Sequence, residues 1–174
     1  MRRLLCRLPY LWLAGWLGSP LTASPQQETV NPAKYGIRMH GYTSSVQCKR
    51  CHTAIHEIWS RSMHANATRD PVFLAAYEAA VERGGEEAKR LCLSCHSPTT
   101  LQTRDYDLSS PLSNEGVTCD FCHTVSKVDL SNSEPFTHDR GPTKRGLHRD
   151  MTSPAHFTKY SPLHGKSEFC GGCH

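Results

Sequence analysis

Two stretches of the chain have apolar residues at helical spacing directly behind a helix-start signal. The first begins at Ser44, which is followed three positions later by a glutamine, as in a capping box, and its apolar positions continue to Trp59. The second begins at Asp70, which precedes a proline as an N-cap residue often does, and its apolar positions continue to Val81. The pattern therefore predicts a helix in each stretch.

The helical pattern then gives way to irregular chain. Gly84 and Gly85 are expected to end the second helix, and residues 86–93 are predicted to form a third, short one. Residues 97–115 and 126–166 are rich in Pro, Gly, Ser and Asp and have no apolar period, which predicts long loops. No segment alternates between apolar and polar residues. We therefore predict a mainly α fold with much irregular loop and little or no sheet, short hairpins excepted.

The N-terminus has the composition of a secretory signal peptide. Three arginines precede an apolar run over residues 8–17, and small or turn-forming residues follow up to Ser24. The run is shorter than the roughly 20 residues that span a bilayer. We predict that residues 1–23 are a signal peptide, that 24–42 are an extended lead-in, and that 43–174 form one domain. The mature chain is then expected in the periplasm, without a membrane span.

The cysteines indicate the chemistry. Eight of the nine occur as four CxxC pairs, and a histidine directly follows each pair. Motif one comprises Cys48, Cys51 and His52; motif two Cys92, Cys95 and His96; motif three Cys119, Cys122 and His123; motif four Cys170, Cys173 and His174. CxxCH is the attachment sequence for c-type haem, in which the two cysteines bind the haem covalently and the histidine is the proximal iron ligand. The sequence therefore predicts four haem c groups.

Zinc ribbons and redox-active CxxC sites also use cysteines two residues apart. Neither needs the histidine that follows every pair here, so haem attachment is the stronger interpretation. Haems also account for the polar composition: mean hydropathy is −0.53 and aromatic residues make up 8% of the chain. Four haems would supply the apolar core that the side chains lack. Only 22 residues separate motif two from motif three, which predicts that their haems are close neighbours.

Charge excludes one class of partner. The formal net charge of +4 falls to +1 when residues 1–23, with three arginines and no acid, are removed. The sequence has neither a basic helix nor an aromatic RNA-binding motif, so nucleic-acid binding is not expected.

Seven further histidines are available as distal iron ligands. Iron with two histidine ligands is saturated and suits electron transfer, whereas an open iron can bind a substrate. The leading distal candidates are His64, His156, His164 and His148, followed by His40 and His138. His56 ranks last, because it lies one turn from His52 and on the same side of that haem.

Several segments beyond the motifs resemble one multihaem cytochrome family. They are residues 48–59, 62–64, 70–73, 115–123, 140–142, 161–164 and 167–174. The family includes the tetrahaem cytochrome that accepts electrons from hydroxylamine oxidoreductase, and its fold is related to that of the multihaem hydroxylamine and nitrite enzymes. The resemblance implies closely packed haem pairs, mostly bis-histidine iron with one five-coordinate haem in some members, and a distal role for His64.

Relatives normally continue past the last motif, whereas this sequence stops at His174, so we expect a truncated chain or, as the alternative, a fourth haem that is loosely held and exposed. The expected function is electron transfer between periplasmic redox proteins or from a membrane quinol-linked donor. The alternative is a catalytic multihaem module that acts on a small nitrogen or sulfur species at an open haem iron.

Overall fold

The computed structural model describes residues 29–174. The predicted signal peptide and the ninth cysteine, Cys6, lie outside this range. Six α-helices follow in chain order: α1 (Ser45–Lys49), α2 (Thr53–Ser60), α3 (Met63–Asn66), α4 (Pro71–His96), α5 (Thr100–Thr103) and α6 (Cys119–Thr124). Short 3₁₀ turns lie at Ala33–Tyr35, Ser113–Glu115, Pro162–Gly165 and Ser167–Phe169. The mainly helical fold with long irregular segments confirms the predicted fold class.

The predicted helix starts are confirmed, with one change at the first. Asp70 caps α4, since its side chain accepts a 2.9 Å hydrogen bond from the amide of Phe73. Ser44 caps α1, but the side chain that bonds the helix start is the carboxylate of Glu115 and not the amide of Gln47: the Ser45 backbone amide donates to this carboxylate at 2.8 Å. A carboxylate distant in sequence thus takes the place of the predicted capping-box side chain.

Helix α4 is in effect two helices. Gly85 has φ 56° and ψ −138°, values that no helical residue adopts, and the chain bends there. The glycine pair therefore ends the first helical segment as predicted, and the second segment runs directly into motif two.

Two small sheets follow α6. Strands β1 (Val125–Val128) and β2 (Phe136–His138) form an antiparallel hairpin with a register shift, of the kind that the sequence allowed. Strands β3 (Thr143–Gly146) and β4 (Phe157–Tyr160) pair in parallel, which was not expected. Parallel pairing needs a crossover connection, and the irregular segment 147–156 provides it.

The buried core is small and largely polar. Among the described residues, seven hydrophobic side chains are buried, including Leu93 and Phe121, and the buried polar ones are more numerous. Large apolar side chains remain exposed, with Ile58 at 75% and Val72 at 77% exposure. Exposed apolar side chains together with so small an apolar core fit a chain whose core is completed by a large apolar cofactor.

Candidate functional site

Each CxxCH motif forms a helical turn. In motif one the amides of Cys51 and His52 both donate to the carbonyl oxygen of Cys48, at 3.2 and 2.9 Å, and motif four forms the same two bonds, both 3.1 Å long. Motif two is the last turn of α4, and motif three makes up most of α6. Residues three and four positions apart on such a turn share one face, so each motif directs two thiols and an imidazole to the same side.

Three of the four motif histidines face a second histidine from elsewhere in the chain. The ring centroids are 6.3 Å apart in the first pair and 6.0 Å apart in the other two. The pairs are His52 with His156, His123 with His164, and His174 with His64, with interplanar angles of 29°, 19° and 52°. Each pair unites residues far apart in sequence.

The spacing of these pairs fits one metal ion between the rings. A bond from a metal ion to an imidazole nitrogen is about 2 Å long, and the nitrogen lies about 1 Å from the ring centroid, so two imidazoles on opposite sides of an ion have centroids about 6 Å apart. In addition, Nδ1 of His164 is buried without a hydrogen-bond partner, whereas its Nε2 lies 3.0 Å from the carbonyl oxygen of Cys122. A buried nitrogen left unpaired is available to a metal. The residues therefore fit haem iron.

Burial keeps two of the facing histidines in the form that binds metals. Desolvation lowers the pKa of both His156 and His164 below the usual value of 6.5. Both imidazoles are therefore neutral at pH 7, and neutral imidazole is the ligating form.

His96 of motif two has a different environment. Its ring stacks on the phenyl ring of Phe73, with centroids 3.9 Å apart and planes 13° apart, and its Nδ1–H donates to the carbonyl oxygen of Ala67 at 3.0 Å. No second imidazole within residues 29–174 faces it as in the other three pairs. Motif two is thus the one motif whose histidine stands alone.

The remaining four histidines do not face a motif histidine among the described residues. Neither His40 nor the candidate His148 faces a motif histidine within residues 29–174, and the ring of His56 lies 5.2 Å from that of Trp59. His138 packs into an aromatic cluster with its centroid 4.7 Å from Phe121, and burial lowers its pKa to about 4. The structure gives each of these histidines a surface or packing position.

Two pairs of motif thiols lie close enough together to shift each other's pKa. Cys48 of motif one interacts with Cys119 of motif three in this way, and Cys95 of motif two with Cys173 of motif four. The neighbouring Cys173 thiol is the main reason that the pKa of the Cys95 thiol falls to about 6. These contacts link motif one to motif three and motif two to motif four, and Cys122 of motif three also interacts with Cys170 and Cys173 of motif four. The predicted closeness of the haems of motifs two and three stays a prediction.

The short segment ahead of motif three ties these elements together. Glu115 accepts hydrogen bonds from Ser44 and Ser45 at the start of α1, so motif one is held against the approach to motif three. Two residues on, the amide of Val117 donates to the carbonyl oxygen of His64 at 2.9 Å, and the Val117 carbonyl accepts from the Trp59 indole at 2.9 Å. Local sequence patterns indicate none of these roles; the one visible signal is a Glu-Gly pair that two residues separate from the start of motif three.

Motif three also contains a buried ion pair. Asp120 lies between its two cysteines with a side chain that is 1% exposed, and it pairs with Lys144 of β3, which is 11% exposed. The other carboxylate oxygen accepts a 2.6 Å hydrogen bond from the amide of Thr43. The pair therefore fastens motif three both to the sheet and to the segment before α1.

Two further findings concern the alternatives for this chain. Across residues 29–174, no group of three or more His, Cys, Asp or Glu side chains is arranged to hold a metal ion, as a zinc ribbon requires. The helices of this part of the chain include none that is long and apolar enough to cross a membrane.

Comparisons with known proteins agree with this geometry. Residues 47–124, which contain motifs one to three, match the family described as cytochrome c554 and c-prime. In fold, the chain is similar to the penta-haem cytochrome c552 from Thermochromatium tepidum, with a TM-score of 0.62 and 26% identity. The match covers 79% of this chain and 46% of the other, so this chain spans about half the length of that cytochrome. No curated protein matches the sequence.

These likenesses support haem c as the cofactor and electron transfer as the general function. The class of protein that this chain resembles, in sequence over three motifs and in fold over most of its length, is the multihaem c-type cytochromes.

Proposed function

We propose that the protein is a periplasmic tetrahaem c-type cytochrome that carries electrons between redox partners. The observation that carries the proposal is the fourfold repeat of one geometry, a helical turn with two thiols and an imidazole on one face. The eight motif cysteines would bind four haem c groups through thioether bonds, and the four motif histidines would be the proximal ligands. When bound, haem iron supplies one-electron chemistry by cycling between its ferric and ferrous states.

Three of the sites would have a histidine on each side of the iron. His156 would be the distal ligand opposite His52, His164 opposite His123, and His64 opposite His174; the support is the 6.0–6.3 Å separation of these rings. Two histidine ligands saturate the iron, so an electron can enter and leave without a change of ligand. Such sites favour carriage over catalysis.

Backbone carbonyls would orient two of the proximal ligands. The Nδ1–H of His96 donates to Ala67, and that of His123 donates to the carbonyl of Arg145 at 2.5 Å. A bond of this kind fixes the tautomer, leaves Nε2 free for the metal and increases the basicity of the ring. Both histidines are therefore held in the ligating state by the chain itself.

The contacts between motifs favour a relay of electrons. The attachment points of motifs one and three adjoin at Cys48 and Cys119, and those of motifs two and four adjoin at Cys95 and Cys173. Closely spaced attachment points are what a chain of electron carriers needs.

One observation favours a second candidate function, a catalytic module that acts on a small nitrogen or sulfur species. His96 has no facing histidine within residues 29–174, so an iron bound there would retain an open position. This open iron position would occur in one of four otherwise similar sites, so electron carriage remains the leading proposal.

Partners and location belong to the same proposal. The apolar N-terminal run behind three arginines favours export, and c-type haem attachment takes place after export in bacteria. The donor or acceptor would be another periplasmic redox protein or a membrane quinol-linked enzyme. Contact with it is expected to be small and transient, as is usual for redox encounters.

Mass spectrometry and a redox titration of the exported holoprotein test the proposal. We expect the polypeptide mass plus four haems, and a loss of one haem in a C170S/C173S variant. Four one-electron steps, without turnover of nitrite or hydroxylamine, are expected of a carrier. Fewer than four haems in the parent protein would contradict the tetrahaem assignment, and turnover would establish the catalytic alternative.

A further inference from the structure

The residues between the two cysteines of a CxxCH motif lie at the edge where the haem is attached. In this chain the four pairs differ sharply in charge: they are Lys49-Arg50, Leu93-Ser94, Asp120-Phe121 and Gly171-Gly172 in motifs one to four. Motif one thus places two cations at its attachment edge. Motifs two and four place no charge there, and the single acid of motif three is buried and paired with Lys144.

The cations of motif one are exposed, and within residues 29–174 neither has an ion-pair partner. A third cation joins them through Tyr35. The Arg50 guanidinium lies 3.5 Å from the Tyr35 carbonyl oxygen, and Nζ of the exposed Lys34 lies 5.4 Å from the centre of the Tyr35 ring. We call Lys34, Lys49 and Arg50 the basic edge.

The corresponding region of motif two carries cations that are neutralised. Lys89 pairs with Glu86 at 2.7 Å and Asp107 at 2.6 Å, and Arg90 pairs with Glu87 at 2.9 Å. Cations near that motif therefore present little free positive charge, in contrast to those of motif one.

Charged residues are also distributed unevenly along the chain, and the segment that contains motif one is again the more basic. Residues 29–70, which contain motif one, hold six Lys or Arg and two Asp or Glu. Residues 71–139, which contain motifs two and three, hold five Lys or Arg and eleven Asp or Glu. Residues 140–174 hold six Lys or Arg and two Asp or Glu. The His52–His156 pair joins the two basic segments, and the Asn31 amide donates to the Pro154 carbonyl at 2.9 Å beside it. The haem site of motif one is therefore built entirely from residues of the two basic segments, 29–70 and 140–174.

We propose that the basic edge is the docking surface for a redox partner protein with an acidic face, and that electrons enter or leave the protein at motif one. This inference rests on the proposed electron-transfer function. Unpaired surface cations steer an acidic partner in solution and orient it on contact. Here two of the three steering charges, Lys49 and Arg50, lie in the attachment turn itself, so the orientation they favour also brings the partner close to the electron-carrying group.

The test uses the haem-loaded protein on a gold electrode coated with a carboxylate-terminated monolayer, which stands in for an acidic face. Two variants each remove two exposed positive charges: K49Q/R50Q at the basic edge, and R83Q/R104Q in the acidic segment. We expect interfacial electron transfer at low salt to fall about 3- to 10-fold in K49Q/R50Q and to stay near the parent rate in R83Q/R104Q. Added salt should abolish the difference.

Three outcomes separate the possibilities. Equal rates for the two variants would overturn the docking proposal. A K49Q/R50Q loss in solution oxidation by hexacyanoferrate, without a loss on the carboxylate surface, would assign the edge to a small anion and would also overturn it. A mediated redox titration of the parent protein is the separate test of the underlying function: absence of reversible haem reduction there would remove electron carriage itself.

Discussion

The backbone of Gly116 lies directly against the carbonyl oxygen of His64. A Cβ atom on Gly116 would come closer to that oxygen than 3.0 Å, a separation that Cβ atoms essentially never show. Gly116 also has φ 69° and ψ −133°, a backbone conformation that L side chains avoid. The position admits only glycine for two independent reasons, and one of them concerns a proposed iron ligand.

We therefore expect G116A to displace His64 from its place opposite His174. In the ferric holoprotein, one low-spin haem signal should convert to high spin, and the protein should also lose stability. G41A is the matched control, because Gly41 also has a positive φ of 79° but would have open space around a Cβ. G41A should lose about 1–2 kcal/mol for its backbone alone and keep its spin states. Identical spectra for the two variants would argue against a positioning role for Gly116.

The distal role of His156 is tested against a neighbour in the same segment. H156A should leave the motif-one iron with a single histidine, so one haem should become high spin and bind added imidazole. H148A changes an exposed histidine eight positions earlier and should leave the spectrum unaltered. A spin change in H148A but not in H156A would reassign the distal ligand.

The buried pair of Asp120 and Lys144 should matter for stability. In D120N the amide keeps an acceptor for Thr43, but Lys144 remains buried without its counter-charge, which costs about 3–5 kcal/mol. D129N removes a carboxylate from an exposed pair with Lys127, 3.7 Å apart, and should cost far less, because water screens exposed ion pairs. Urea unfolding of the holoprotein measures both. Similar and small losses of unfolding free energy in D120N and D129N would mean that water reaches the Asp120–Lys144 pair.

The sequence predicted those parts of the molecule that depend on neighbouring residues. The cap at Asp70, the break at Gly85 and the helical CxxCH turns are local, and the structure confirms them. The facing of His64 and His174 spans more than a hundred residues, so no local pattern indicates it. The resemblance singled out His64, but its facing partner came only from the structure.

Two further features escaped prediction for the same physical reason. Glu115 bonds the start of α1 across seventy residues, in place of the neighbouring Gln47. The parallel pairing of β3 with β4 joins strands across an irregular crossover, and neither strand alternates strongly in burial. Long-range contacts of this kind are set by packing, which a single sequence does not display.

His138 should make stability depend on pH. Burial lowers its pKa to about 4, compared with about 6.5 in the unfolded chain. Between these values the unfolded chain binds the extra proton, so the stability contribution is complete above pH 6.5 and is lost as the pH falls toward 4, by up to about 3 kcal/mol. Urea unfolding from pH 7 to pH 4.5 should show a smaller decline in H138Q than in the parent protein. Equal declines of the unfolding free energy in H138Q and in the parent protein would mean that His138 titrates normally.

Electron paramagnetic resonance of the intact ferric holoprotein tests the central claim most directly, because it counts axial environments without altering any residue. Three histidine pairs and a solitary His96 predict three low-spin haems and one high-spin haem. Four low-spin haems would show that motif two also acquires a second strong ligand, and two or more high-spin haems would show that the facing histidines do not share an iron. Either of the last two results would contradict the account.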